Sequence, residues 1–166
     1  MRYFTKALLS KINSSIYEDE LNADIEWEKN MNEYWDRVKS RIKNRISQNA
    51  YSILENISFH DYRVLNIEII HREFGLPNLL EILITLTDDL DIWQIKYKGV
   101  KKFKIDYESG KSSLEKKRGL GTWGYDELLD FDEKTLSHEI LFQFGTTLLI
   151  HFKNNGIVYK KLKKRK

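Results

Sequence analysis

Cysteine is absent from the chain, and this excludes disulfide staples, thiolate nucleophiles and thiolate zinc sites together. A cysteine-free chain suits a reducing compartment, so a cytoplasmic location is expected. No stretch reaches the ~20 apolar residues that span a bilayer. The opening MRYFTKALLSKINSS also lacks the apolar run of a secretory signal, so no membrane association is expected. Proline occurs once, at Pro77, inside Gly75-Leu76-Pro77-Asn78, where a turn is expected. Histidine is scarce as well, with four residues: His60, His71, His138 and His151.

What is present describes a folded chain. At 166 residues it has the length of one domain, 1–166, able to bury about 70% of its unfolded surface. Apolar residues make up 41% and aromatics 13%, which favours a packed core over disorder. The net charge is +3, but it is unevenly spread. Residues 18–36 carry eight acids against the single cation Lys29, residues 37–45 alternate cations without an acid, and KKLKKRK closes the chain.

Residues 18–57 have a helical period. Leu21, Ile25, Met31, Trp35, Val38, Ile42 and Ile46 form one apolar stripe. Ser14 or Ser15 would cap it, with acids at the positive end of the helix dipole. A single long helix and two helices joined near Asn30–Asn32 both fit this pattern. From Tyr62 the period becomes two. Segments 62–71 and 80–86 alternate, and Trp93, Ile95, Tyr97, Phe103, Ile105 and Tyr107 keep one phase through a long or bent strand with a bulge at Gly99. Residues 108–124 read as a mobile loop, and 125–136 as a short helix or acidic loop. The expected class is α+β: a helical part (1–58) on an antiparallel sheet of five to six strands (59–162), then a basic tail (163–166).

Register decides what the last histidines can do. A two-residue turn after Phe142 would set His138 opposite His151, as a metal pair needs. Matching Ile140 and Phe142 with Leu148 and Ile150 requires instead a three-residue loop, Gln143-Phe144-Gly145, that pairs Phe142 with Thr146. That register separates the histidines, so no metal is expected. His71 continues the apolar phase of its strand and would point toward the core. His60-Asp61 and His138-Glu139 place a carboxylate beside a histidine, but neighbours in a strand face opposite ways.

Other motifs are weaker. Gly119 to Gly124 matches G-x-G-x-x-G, yet it follows a charged loop and has the bulky Trp123 where phosphate would lie. Ser113-Leu114-Glu115-Lys116 lacks the companions of the S-x-x-K chemistry. Asp126, Glu127, Asp130, Asp132 and Glu133 lack calcium-loop spacing. Lys96, Lys98, Lys102 and Lys104 with the tail would give a phosphate-tracking face, although the aromatics occupy the opposite phase. Trp123, Tyr125 and Asp126 put aromatics beside charge, a common recognition pattern, although Trp123 folded onto the sheet as a lid of the core is the favoured alternative. With His138 at the strand entrance, these four are the candidate binding residues.

Met1-Arg2-Tyr3-Phe4-Thr5-Lys6, His60-Asp61-Tyr62 and Leu136-Ser137-His138-Glu139-Ile140-Leu141-Phe142 resemble a family of unknown function from Gram-positive, Bacillus-type bacteria. The resemblance covers nearly the whole chain and implies a small cytoplasmic protein, without assigning any residue a role. In general build the chain also looks like toxin-immunity proteins, an analogy of fold alone. No catalytic constellation is complete, so the leading expectation is a non-catalytic protein that binds another protein, without a cofactor. A hydrolase using His138, His71 or His60 with carboxylates is the alternative, and nucleic-acid binding the third.

Overall fold

Ser47 and Gly99 mark the two places where this chain changes course. The computed structural model describes residues 1–13, 16–75, 80–107 and 119–162. Helices α1 (Lys6–Ile12), α2 (Tyr17–Arg37) and α3 (Gln48–Asn56) form the N-terminal part. α2 continues through a π-helical turn at Val38–Ile42 and a 3-10 turn at Lys43–Arg45. The break then falls at Ile46–Ser47, where the Ser47 hydroxyl accepts the Ala50 N–H at 3.1 Å as an N-cap. Asn30 is no hinge; its side-chain amide donates to the Tyr3 carbonyl at 2.8 Å. Ser14 and Ser15 lie outside the described residues, while Glu18, Asp19 and Glu20 occupy the first turn of α2. Val38, Ile42 and Ile46 of the expected stripe are core, but Leu21 and Ile25 are exposed.

The chain is α+β as expected, but the single sheet is not what forms. Eight strands among the described residues make two antiparallel sheets of four. They are β1 (Arg63–His71), β2 (Leu80–Thr87), β3 (Ile92–Lys98), β4 (Val100–Asp106), β5 (Trp123–Asp132), β6 (Thr135–Phe142), β7 (Thr147–Lys153) and β8 (Ile157–Leu162). One sheet has the order β1-β2-β3-β8 and the other β4-β7-β6-β5. Gly99 explains part of the difference. At φ +61 it turns the expected long strand, so β3 and β4 enter different sheets. The corner is held by Lys98 N–H on the Gly156 carbonyl (2.7 Å) and Lys153 N–H on the Gly99 carbonyl (3.2 Å). The expected helix or acidic loop at 125–136 is instead most of the β5–β6 hairpin. Bulges between Trp123 and Tyr125 and between Asp130 and Asp132 interrupt the alternation that would have revealed β5.

The β6–β7 hairpin has the register its apolar faces require. Phe142 N–H donates to the Thr146 carbonyl at 2.9 Å, and Gly145 sits at φ +88. His138 opposes Ile150 and His151 opposes Ser137, so the two histidines lie on opposite faces. Leu136, Ile140 and Phe142 meet Ile82, Ile84 and Ile95 of the first sheet in one core.

The helical part packs on β5 and β8, each the last strand of its sheet. Tyr34 Oη accepts the Leu128 N–H at 3.1 Å, and Arg37 Nε donates to Asp130 at 2.7 Å, giving β5 partners on the side where no further strand pairs with it among the described residues. Arg45 donates to Asn154 and to the carbonyls of Asp132 and Thr135, tying the helix end to two hairpins. The N-terminal segment is fastened by one side chain. Glu127, 1% exposed, accepts the backbone N–H groups of Arg2, Tyr3 and Phe4 at 2.7, 2.6 and 2.6 Å. No helix among the described residues is long and apolar enough to cross a membrane.

Glu127→Ala leaves those three donors without their acceptor. It is expected to lower the unfolding free energy by about 3 kcal/mol, since hydrogen bonds to buried charge are among the strong ones. Urea denaturation measures the loss, and amide exchange should accelerate first at Tyr3 and Phe4. An unchanged midpoint would contradict the assignment.

Candidate functional site

The first four residues of β5 are held in place before any of their side chains does anything. Trp123 N–H donates to the Tyr62 carbonyl and Asp61 N–H to the Trp123 carbonyl, both at 2.8 Å. On the other side, a Cβ built on Gly124 would lie 2.8 Å from the Leu141 carbonyl oxygen, so only glycine lets β5 approach β6 this closely. The bulge at this point shifts the alternation by one. Trp123 and Asp126, three apart, therefore share the inward face, and the Trp123 indole N–H donates to Asp126 Oδ1 at 2.8 Å. Tyr125 faces the other way, its ring stacked on Phe4 at 5.8 Å.

Asp126 opposes Ile140 and Leu128 opposes His138, so Asp126 and His138 are diagonal neighbours on one face. His138 Nε2 lies 2.8 Å from Asp126 Oδ2, and its Nδ1 lies 2.7 Å from the Tyr97 hydroxyl across the core. The partners assign the protons. A carboxylate oxygen accepts, so Nε2 donates to Asp126, while Nδ1 meets the Tyr97 hydroxyl, a group that can donate or accept. Burial above all, with the charge of Asp126 adding to it, pushes the Tyr97 hydroxyl well above its ordinary range, and the phenol keeps its proton. Tyr97, His138, Asp126 and Trp123 thus form one continuous polar chain joining the two sheets.

Of that chain, Asp126 is the member that lines the cleft. His138 is 1% exposed with both ring nitrogens engaged, whereas the Asp126 side chain keeps 24% of its surface. Asp126 floors a cleft of about 560 Å³ between α2, the α3–β1 connection and β5. Nearly half of its lining residues are Phe, Trp or Tyr, against 13% of the chain. Burial, followed by the Asp126 charge, raises the hydroxyls of Tyr34 and Tyr159, so both stay neutral beside the carboxylate. The arrangement offers a ligand a fixed acceptor in aromatic walls. It offers no nitrogen of His138, since both are spent behind the floor; the imidazole at its edge is that of His60.

The four sequence-derived binding residues are all here, though in unequal positions. Tyr125 and Asp126 line the cleft. His138 supports Asp126 from inside. Trp123 is no exposed recognition residue: it is 0% exposed within β5, and its indole N–H is committed to Asp126. Sequence reasoning missed Phe4, Trp27, Tyr34, Tyr159 and above all Tyr97. Tyr97 could have been found, since a hydroxyl in a phase otherwise made of Trp93 and Ile95 needs a buried partner.

The remaining candidates disperse. His71 is exposed at the end of β1 rather than core-facing. His60 is half-exposed beside the Tyr125 ring, at 5.5 Å. Its Nδ1 does contact Asp61 at 3.1 Å, because Asp61 sits in a turn at φ +67 and not in a strand. The glycine motif leads into β5 without opening a helix, so a dinucleotide loop is excluded. Ser113 to Lys116 lie outside the described residues, as do residues 163–166 of the tail. Among the described residues no three potential metal ligands converge. The acids of β5 point apart: Asp126 inward, Glu127 to the N-terminal segment and Asp130 to Arg37. Gly99 also divides the lysines, placing Lys96 and Lys98 in one sheet and Lys102 and Lys104 in the other.

No protein-family model matches the chain and no curated protein matches it, so the functional reading rests on geometry.

Two measurements check this account. Tyr97→Phe strands a buried nitrogen of His138 and should cost about 1–3 kcal/mol in urea denaturation; a neutral result would break the polar chain as described. The second concerns His151, buried against the Phe131 ring at 4.2 Å. Burial, then the nearby Lys102, lowers its pKa below 6.5, while Asp132 and Glu139 pull the other way. The unfolded chain therefore binds this proton more readily. Stability from this group is complete above about pH 6.5 and declines as pH falls below it. His151→Gln should flatten that part of the stability profile, and an unaltered slope would count against it.

Proposed function

We propose that this chain is a non-catalytic binding protein, that its partner is another protein, and that the Asp126 cleft is its recognition element. The carrying observation is the fixed carboxylate. Trp123 and His138 hold Asp126 from two sides, and a preorganised acceptor in an apolar cleft gives orientation at little entropic cost on binding. Tyr125, Trp27 and His60 supply the rim, the residue types that dominate recognition surfaces. The position of His138 favours binding over hydrolysis, because a general base must reach the substrate proton and this ring reaches only Tyr97 and Asp126. The divided lysines, with Lys96 near Glu81 at 3.7 Å and Lys104 near Asp106 at 3.9 Å, make a poor phosphate track.

A photo-crosslinking residue at Tyr125, introduced in cells that make the protein, tests this. Specific adducts should form and should disappear when Met31→Arg fills the cleft. Adducts that persist in Met31→Arg, or no adducts at all, would remove the cleft as the binding element.

A further inference from the structure

The charge of the cleft opposes the charge of the chain. Lys and Arg number 28 and the net charge is +3, yet none of the described lining residues is Lys or Arg, while Asp126 and Glu55 both are present. Asp24 and Asp61 add negative potential at Tyr125, whose hydroxyl is raised first by burial and then by those two acids. Such a site repels anions and favours cations.

Ring geometry narrows the chemistry. Phe4, Trp27 and Tyr125 are mutually packed, with centroid separations of 6.0, 5.8 and 6.4 Å. A cation over aromatic faces gains from their quadrupoles, more so where water is excluded. Small, strongly hydrated ions lose too much solvation in such walls, whereas guanidinium and alkylammonium groups are weakly hydrated and carry apolar surface. The Trp27 indole N–H is buried without a hydrogen-bond partner among the described residues, so the ring meets the cleft as an apolar aromatic surface.

We infer that the cleft binds an organic cation, a guanidinium or alkylammonium group, with Asp126 as counter-ion and Phe4, Trp27 and Tyr125 as its aromatic wall. This rests on the preceding reading that the cleft is the recognition element and gives it a ligand class. Two sources present such a group: a side chain of a partner protein and a free metabolite.

The full chain is titrated with choline, with butylguanidinium, with a blocked Gly-Arg-Gly peptide, and with the carbon isostere of choline, in which a quaternary carbon replaces nitrogen. NMR follows the side chains of Trp27 and Tyr125. The cations are expected to saturate, and the isostere to bind about tenfold more weakly. Asp126→Asn should weaken the cations about tenfold and leave the isostere unchanged. If Asp126→Asn does not fold, Tyr125→Leu, outside the polar chain, should weaken the cations selectively. A peptide that binds more tightly than butylguanidinium assigns the cation to a partner protein, and the reverse order to a metabolite. An isostere as tight as choline would overturn the cation assignment while keeping the cleft as a binding site. If no probe moves these resonances, the assignment also falls, and the Tyr125 adducts decide the broader reading separately.

Discussion

A carboxylate withdrawn from water must be given donors, and β5 carries two of them in succession. Asp126 and Glu127 project to opposite faces of one strand, and each is served from a different part of the chain. Asp126 takes an indole N–H from its own strand and an imidazole N–H from β6. Glu127 takes three backbone N–H groups from the first four residues. Leaving either unserved would cost several kcal/mol. Satisfying both fixes β5 against the core on one side and the N-terminal segment on the other. Most of the remaining architecture follows from that double constraint.

The cleft is a product of the same arrangement. Its floor belongs to a strand anchored by a bulge and two backbone hydrogen bonds, and its walls to the helices that serve the outer strands. Phe4 enters the wall because Glu127 holds the backbone at that residue; Tyr34 enters because its hydroxyl accepts the Leu128 N–H. The groups that complete the fold and the groups that surround a ligand are therefore partly the same residues. Substitutions in the walls will carry a stability effect as well as a binding effect, and the two must be separated by measuring both.

Much of the outline was legible in the sequence, for identifiable reasons. The helical part showed itself by its 3.6-residue stripe, and the β6–β7 register by the demand that Phe142 and Leu148 share a side. Gly145 was the residue that could supply the loop. β5 was hidden because its alternation is interrupted twice and its acids mimic a solvated loop. Hence the second sheet was missed, and with it the fact that Gly99 sends β3 and β4 apart. Trp123 and Asp126 were singled out together, with Trp123 read either as an exposed contact or as a lid of the core, but their shared face was not foreseen. An extra residue at Gly124 reverses that picture, and no local pattern announces whether a glycine before an aromatic will bulge. Tyr97 lay in an apolar phase and was counted as one more aromatic ring; its hydroxyl finds meaning only through His138, 41 positions away.

The pairing of β3 with β8 has a consequence in time. β3 ends at Lys98 and β8 begins at Ile157, so the first sheet gains its last strand only after β4 to β7 have been synthesised in between. The N-terminal segment likewise waits for Glu127, more than 120 positions downstream. On the ribosome, β1–β3 can pair with one another, but the flank of β3 that receives β8 stays open for several seconds at ordinary elongation rates. During that interval β3 presents unpaired backbone between Trp93 and Tyr97, where every second side chain, Trp93, Ile95 and Tyr97, is buried in the finished fold. Nascent chains of this protein are therefore most vulnerable to mispairing between the synthesis of β3 and that of β8, and helper proteins that shield exposed strands would act chiefly in that window.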